Sequence, residues 1–131
     1  MGFDQYHEPE NELPEETRTF ARLCASLTEE AEAIGWYEQR LALEPDRDAR
    51  AIMRDAQGEE FKHFSMDLEF LLRRTPLWRD IAAGILLTEG DIVEEGEEAE
   101  EQAVEGAAAR GAPVTGSASL GIGSLRAEPA R

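Results

Sequence analysis

Residues 43–46 read LEPD, and they are the one break in a longer stretch, residues 14–74, whose apolar residues otherwise recur at helical spacing. Proline disfavours a helical conformation in the residue before it, so a helix should end at this point. Asp46 can then cap the helix that follows. Because a short break between two long helices folds the chain back on itself, we predict an antiparallel helical hairpin and an all-α fold.

The helices on either side of this break have clear limits in the sequence. The first should run from Pro14, which is followed by two acids typical of a first helical turn, to about Leu43. The second should run from about Arg47 to Arg74. A short third helix, LWRDIAAGILL, follows Thr75-Pro76. Two apolar faces carry the prediction: Phe20, Leu23, Cys24, Leu27, Ala31, Ile34 and Leu41 on the first helix, and Ala49, Ile52, Met53, Ala56, Phe64, Phe70 and Leu71 on the second.

The rest of the chain differs in character from this helical domain, which we assign to residues 14–88. Residues 1–13 are polar and aperiodic, and we expect a flexible arm. Residues 89–118 are first acidic and then rich in small residues, so they are predicted to be a linker without a core. In residues 119–131 apolar side chains return as SLGIGSLR, a pattern that favours a docking peptide over a tail without a role.

Composition excludes several classes of partner. The chain has 131 residues and a formal net charge of −16, which argues against nucleic acids and anionic membrane surfaces. No apolar run approaches the roughly 20 residues that a membrane-spanning helix needs. The single cysteine, Cys24, lies among apolar neighbours and indicates a small core residue in a reducing compartment. We therefore expect a soluble, cytoplasmic protein.

Two polar residues of the second helix, Glu60 and His63, fall within its apolar arc. Glu60 is fifteen residues after Pro45 and Glu30 is fifteen before it, so a hairpin that turns at Pro45 should bring these two carboxylates level. His63 follows one turn further along. Burying two carboxylates and an imidazole is costly unless something positive binds them. Arg40 or Arg54 could do so in an ion-pair network; the alternative is a metal ion, and this donor set favours iron or manganese.

The candidate metal ligands form half of a known arrangement. Di-iron carboxylate bundles take a Glu from each of two helices and a Glu-x-x-His from each of two others. This chain supplies one Glu (Glu30) and one Glu-x-x-His (Glu60, His63). Two hairpins related by a two-fold axis would complete both the metal site and a ferritin-like four-helix bundle. We therefore predict that the protein is at least a dimer.

Four segments, TEEAEAIGWYEQR (28–40), GEEFKHFSMDLEFLLRR (58–74), LLTEG (86–90) and SLGIGSLR (119–126), resemble the encapsulated ferritins, ferritin-like proteins housed inside encapsulin shells. The resemblance covers both long helices and the C-terminal segment. It implies a ferroxidase that oxidises Fe(II) with O₂ at a di-iron centre shared between two subunits, assembled as a ring of ten. It also implies a location inside the encapsulin compartment, where the oxidised iron is stored.

The same resemblance assigns roles to individual residues. Glu30, Glu60 and His63 are implied as iron ligands and Tyr37 as the tyrosine beside the centre. Glu29 and Glu32 match outer metal-binding carboxylates, with Trp36 next to them. The implied encapsulin-targeting residues are Ser119, Leu120, Gly121, Ile122, Gly123, Ser124 and Leu125.

Three other functions stay open at this point. One is a metal-binding encapsulin cargo without redox activity, and another is a different di-iron oxidoreductase, such as a peroxidase of the rubrerythrin kind. The absence of a Cys-x-x-Cys pair counts against a rubredoxin-type iron centre. The last is a helical interaction module in which Glu60 and His63 only form ion pairs.

Overall fold

The computed structural model describes residues 5–111, and within them all regular structure is helical. Four α-helices follow a short 3₁₀ helix at Glu10–Glu12: α1 (Glu15–Leu43), α2 (Arg47–Arg74), α3 (Pro76–Ala83) and α4 (Ile92–Ala109). This confirms the all-α fold. No helix in the described range is both long and apolar enough to cross a membrane. The chain divides after Arg74 into two compact units, one containing α1 and α2 and the other α3 and α4.

The turn between α1 and α2 lies where the LEPD segment predicted it. The Glu44 amide closes α1 by donating to the Arg40 carbonyl oxygen at 2.9 Å. Asp46 caps α2, because its Oδ1 accepts from the Ala49 amide at 2.8 Å. The Arg50 guanidinium reaches back across the turn and donates to the carbonyl oxygens of Leu41 and Glu44. These contacts hold the last turn of α1 against the first turn of α2.

The hairpin covers only part of the apolar surface of α2. One row, at alternating spacings of four and three residues, is buried or half-buried along its length: Met53, Gln57, Glu60, Phe64, Asp67 and Leu71. We call this row the inner row. An outer row at the same spacing consists of Ile52, Ala56, Glu59, His63, Met66 and Phe70. Ile52 is 72% exposed and Met66 is 61% exposed. The single broad face predicted for α2 is therefore two faces, of which one is left largely exposed by residues 5–111.

In the second unit the structure differs from the linker predicted for residues 89–118. Residues 92–109 form α4, whose Ala99, Ala103 and Ala107 are buried along one side. Asp91 caps α4 by accepting from the amides of Val93 and Glu94, both at 3.0 Å. Alanine is the best helix former and needs little space, so a row of alanines at a spacing of four can pack even though the other faces are acidic.

A close approach of the two helices depends on Gly84, the residue that ends α3. A Cβ atom placed there would lie 2.6 Å from the Ala99 Cβ atom of α4. Only a residue without a side chain therefore fits at this position. Two small residues facing each other allow the backbones of α3 and α4 to approach, and this is how a unit with so little apolar bulk forms a core.

Candidate metal centre

The hairpin brings Glu30 of α1 level with Glu60 of α2, as the counting from Pro45 predicted. On α1, Glu30 is half-buried on the same face as Ile34 and Leu41, which is the face turned to α2. On α2, Glu60 belongs to the inner row and His63 to the outer row. His63 is therefore at the open side of the hairpin, and its side chain is 46% exposed, against 22% for each of the two carboxylates.

The three side chains form a compact group. His63 Nδ1 lies 3.7 Å from Glu60 Oε2 and 3.9 Å from Glu30 Oε2. One possible ligand atom from each residue can be chosen so that all lie within 4.8 Å of one another. The imidazole-to-carboxylate distances are longer than hydrogen bonds. Ligand atoms about 2.0–2.2 Å from a shared ion can be up to about 4.4 Å apart, so these gaps have the size that a bound metal ion would span.

Negative charge is in excess at this group. A hydrogen bond with the Glu60 carboxyl is the main cause that raises the pKa of Glu30 from 4.5 to about 7. Partial burial and the charges of Glu60 and Asp67 act in the same direction, and His63 acts against them. The Glu30 carboxyl therefore keeps its proton to a higher pH than an ordinary glutamate does. A cation placed there would replace that proton and relieve the repulsion.

No arginine or lysine in the described part of the chain forms an ion pair with Glu30 or Glu60. Within residues 5–111 the only ion-pair partner of Glu30 and Glu60 is His63. Arg40, one of the two arginines considered for this role, instead lies over the Tyr37 ring, 5.4 Å from its centre. The ion-pair network with Arg40 or Arg54 is thus not formed. The donor chemistry, two carboxylates and one imidazole without a countercharge, fits a divalent metal ion.

The other predicted site residues lie along α1 but form no group that the geometry joins to these three. Tyr37 is half-buried, whereas Glu29 and Glu32 are exposed. Trp36 is 52% exposed. The predicted targeting residues 119–125 lie outside the described part of the chain.

Glu59 also contacts the group, although it was not among the predicted site residues. Its Oε2 lies 3.9 Å from His63 Nε2, so the imidazole has a carboxylate near each of its two nitrogens. A hydrogen bond from Lys62 lowers the pKa of Glu59. The spacing of four residues between Glu59 and His63 on one helix is the signal that could have identified this contact.

Gln57 is the second unpredicted residue near the site. It is 7% exposed and is the one buried polar residue in the described range. Its Nε2 donates across the hairpin to the Ile34 carbonyl oxygen at 3.3 Å and to Glu38 Oε2 at 3.0 Å. In the sequence, the one signal for this link was the presence of a polar residue in the inner row, three positions before Glu60.

Comparison with known proteins agrees with the helical fold. The EncFtn-like family model matches residues 5–89, which include both helices of the hairpin. The encapsulated ferritin-like protein of Rhodospirillum rubrum is 42% identical over 127 residues, covering 95% of this chain and 89% of the relative. A ferritin-like protein of Thermotoga maritima is 42% identical over 95 residues, covering 72% of this chain and 83% of the relative.

Among solved structures, protein ne0167 from Nitrosomonas europaea superimposes with a TM-score of 0.66 at 37% sequence identity. The match covers 68% of this chain and 98% of that protein. The family model spans more than half of the chain, and the R. rubrum relative matches nearly all of it. The chain belongs to the EncFtn-like family of encapsulated ferritin-like proteins.

Proposed function

We propose that the protein is a ferroxidase: it binds Fe(II) at Glu30, Glu60 and His63 and oxidises it to Fe(III) with dioxygen. The observation that carries this proposal is the group itself, two carboxylates and an imidazole within 4.8 Å and without a basic partner in residues 5–111. Its donor set suits iron. Membership of the EncFtn-like family supports iron as the substrate.

We further propose that two chains complete the site. A di-iron centre needs twice the ligands that one hairpin supplies. The outer row of α2 carries His63 together with the exposed Ile52 and Met66. Pairing two outer rows about a two-fold axis would cover this apolar surface and bring two sets of Glu30, Glu60 and His63 face to face. The product would be a four-helix bundle, and five such dimers would form the ring of ten that the family resemblance implies.

The side chains then have separate tasks in the reaction. The carboxylates of Glu30 and Glu60 would hold the irons. The pKa of Glu30 is raised to about 7 first by its hydrogen bond with Glu60 and then by burial and the charge of Glu60, and a cation bound between the two carboxyls would displace the proton of Glu30. His63 supplies the nitrogen ligand from the open side of the hairpin. Dioxygen would accept one electron from each of two Fe(II) ions and, with two protons, would leave as hydrogen peroxide. We propose that Tyr37 lies at the edge of the centre. The exposed carboxylates of Glu29 and Glu32 would bind iron before it reaches the centre.

The iron is stored in an encapsulin shell in this proposal. The R. rubrum relative is described as encapsulated. The C-terminal residues SLGIGSLR would bind the inner wall of the shell through Leu120, Ile122 and Leu125, with the glycines between them allowing close contact. The protein would then work in the shell lumen, within the cytoplasm.

The main rival is a metal-binding cargo of the same fold that does not oxidise iron; a peroxidase of the rubrerythrin kind is the other. Aerobic addition of Fe(II) to the purified protein, followed by Fe(III) absorbance, separates them. We expect fast oxidation by the parent and none by Glu60→Ala or His63→Ala. His7→Ala, which changes the other histidine of the chain, serves as the matched control and should oxidise iron like the parent.

Metal analysis and a peroxide assay complete the test. If iron binds at a fixed ratio and is not oxidised faster than in buffer, the non-redox cargo is correct. If oxidation requires hydrogen peroxide instead of dioxygen, the peroxidase is correct. If Glu60→Ala oxidises iron at the parental rate, the ligands are misassigned.

A further inference from the structure

Gln57 links the two helices at a position that bears on the candidate metal centre. Its amide nitrogen donates both to the Ile34 carbonyl oxygen and to the Glu38 carboxylate of α1. Ile34 is one helical turn from Glu30, and Gln57 is three residues from Glu60. The link therefore lies about one turn from the carboxylate pair, on the side of the hairpin turn.

The register set by Gln57 is also the register that makes the metal ligands meet. In an antiparallel hairpin, residues that lie level have a nearly constant sum of residue numbers. The Gln57–Ile34 and Arg50–Leu41 contacts both sum to 91, and Glu30 with Glu60 sums to 90. Arg50 sets this register at the turn, where the short connection already restricts the chain. Gln57 sets it in the middle of the hairpin, next to the site.

Apolar packing alone would hold this register weakly. The site region has few fully buried side chains, since among residues 5–74 the buried apolar residues are Leu41, Leu71 and Leu72. None of the three is within ten residues of Glu30 or Glu60. A slip of one helical turn would displace Glu60 by about 5.4 Å along α2, which is more than the 4.8 Å that now encloses all three ligand atoms.

We propose that Gln57 is a positioning residue for the metal centre: its two hydrogen bonds lock α1 and α2 in the register that lets Glu30 and Glu60 bind the same ion. This inference rests on the proposed metal-binding function. Replacing a buried amide by an apolar side chain of similar length costs little stability when its partners can reach other donors. The Ile34 carbonyl is already within a helix and Glu38 is exposed. Loss of Gln57 should therefore affect metal binding more than folding.

The test compares Gln57→Met with Gln39→Met. Gln39 is the matched control because its amide also donates to a carbonyl oxygen at 3.3 Å, that of Gly35, but within α1 alone. Anaerobic Fe(II) and Co(II) titrations should show binding about 10–100-fold weaker for Gln57→Met, the usual effect of a residue that orients metal ligands. The visible Co(II) spectrum should also change, while Gln39→Met keeps the parental affinity and spectrum.

A readout without metal separates the two proposals. Amide hydrogen exchange of residues 28–34 in the metal-free protein should be faster in Gln57→Met than in Gln39→Met. If the parent binds no metal, the proposed function is refuted. The exchange rates then still test whether Gln57 holds the register of α1 and α2. Parental metal affinity and exchange in Gln57→Met refute the positioning role. If Gln57→Met fails to fold, two variants of its partner replace it. Glu38→Leu removes the acceptor of the Gln57 hydrogen bond and should weaken Co(II) binding, whereas Glu38→Gln keeps an acceptor and should not. Equal Co(II) binding by both variants refutes the positioning role.

Discussion

Glu30→Gln should make the metal-free protein more stable while removing its ability to bind metal. In the parent, a hydrogen bond with the Glu60 carboxyl is the main cause that raises the pKa of Glu30 to about 7; burial and the charge of Glu60 add to it, and His63 acts against it. A glutamine has the same shape, carries no charge and can donate a hydrogen bond to Glu60. The substitution therefore removes the repulsion and keeps the contact.

The size and sign of the effect follow from the pKa of Glu30. A rise from 4.5 to about 7 would correspond to about 3 kcal/mol if it were converted in full. Glu30 is 22% exposed and the site is open at His63, so water screens the repulsion and we expect about 1 kcal/mol. Since the folded state holds this proton up to a higher pH than the unfolded state, the parent loses stability as the pH rises from 4.5 to 7. The gain from glutamine should be complete above pH 7 and absent below pH 4.5.

Thermal unfolding in the presence of a chelator measures this gain. One kcal/mol corresponds to about 4–8 °C in Tm for a domain of this size. Glu29→Gln, an exposed neighbour, is the matched control and should change stability by less than about 0.5 kcal/mol. With Mn(II) added, the Tm of the parent should rise and that of Glu30→Gln should not. An unchanged or lower Tm for Glu30→Gln at pH 8, or an equal gain at pH 4, would refute the reasoning.

The further predictions concern assembly, targeting and two glycines, one in each unit. Fe(II) or Ca(II) should shift the protein toward larger assemblies in size-exclusion chromatography with light scattering, and a monodisperse monomer that binds iron would contradict the shared site. Deleting residues 119–131 should leave iron oxidation intact and abolish co-purification with encapsulin, so parental loading of the truncated protein would mean that another surface docks. Gly84→Ala should destabilise by about 1–3 kcal/mol, since its Cβ would meet Ala99 at 2.6 Å. Gly58→Ala, with open space around it, should instead stabilise by up to about 1 kcal/mol, and chemical denaturation of both variants checks the contrast.

The hairpin and the central residue group were predictable because both depend on local rules. Pro45 with its flanking residues marks the turn, and the level of Glu30 and Glu60 then follows by counting. The outer row of α2 could not be separated from the inner one by hydrophobicity. Both rows carry apolar residues at helical spacing, and only packing against α1 shows that Ile52 is left exposed.

The helix α4 and the role of Gln57 were missed for different physical reasons. Acidic composition is a property of the whole segment, whereas α4 depends on three alanines spaced four apart and on a cap from Asp91. The number of charged residues in a segment does not show how its alanines are spaced, so composition alone did not predict α4. Gln57 needs the position of the opposite backbone before its hydrogen bonds can be seen, because a single glutamine within an apolar row has no distinctive pattern of its own.

The helical state of α4 fixes the span of residues 92–109. A helix of 18 residues is about 27 Å long and holds that length, whereas a coil of the same residues would vary in span. The direction in which the chain leaves α4 is also set by its helical phase. Removing one residue would turn that direction by about 100°. Removing seven residues would shorten the helix by about 10 Å but leave the direction nearly unchanged, because seven residues make almost two full turns. α4 therefore gives residues 92–109 a defined length and sets the direction in which the chain reaches Gly111.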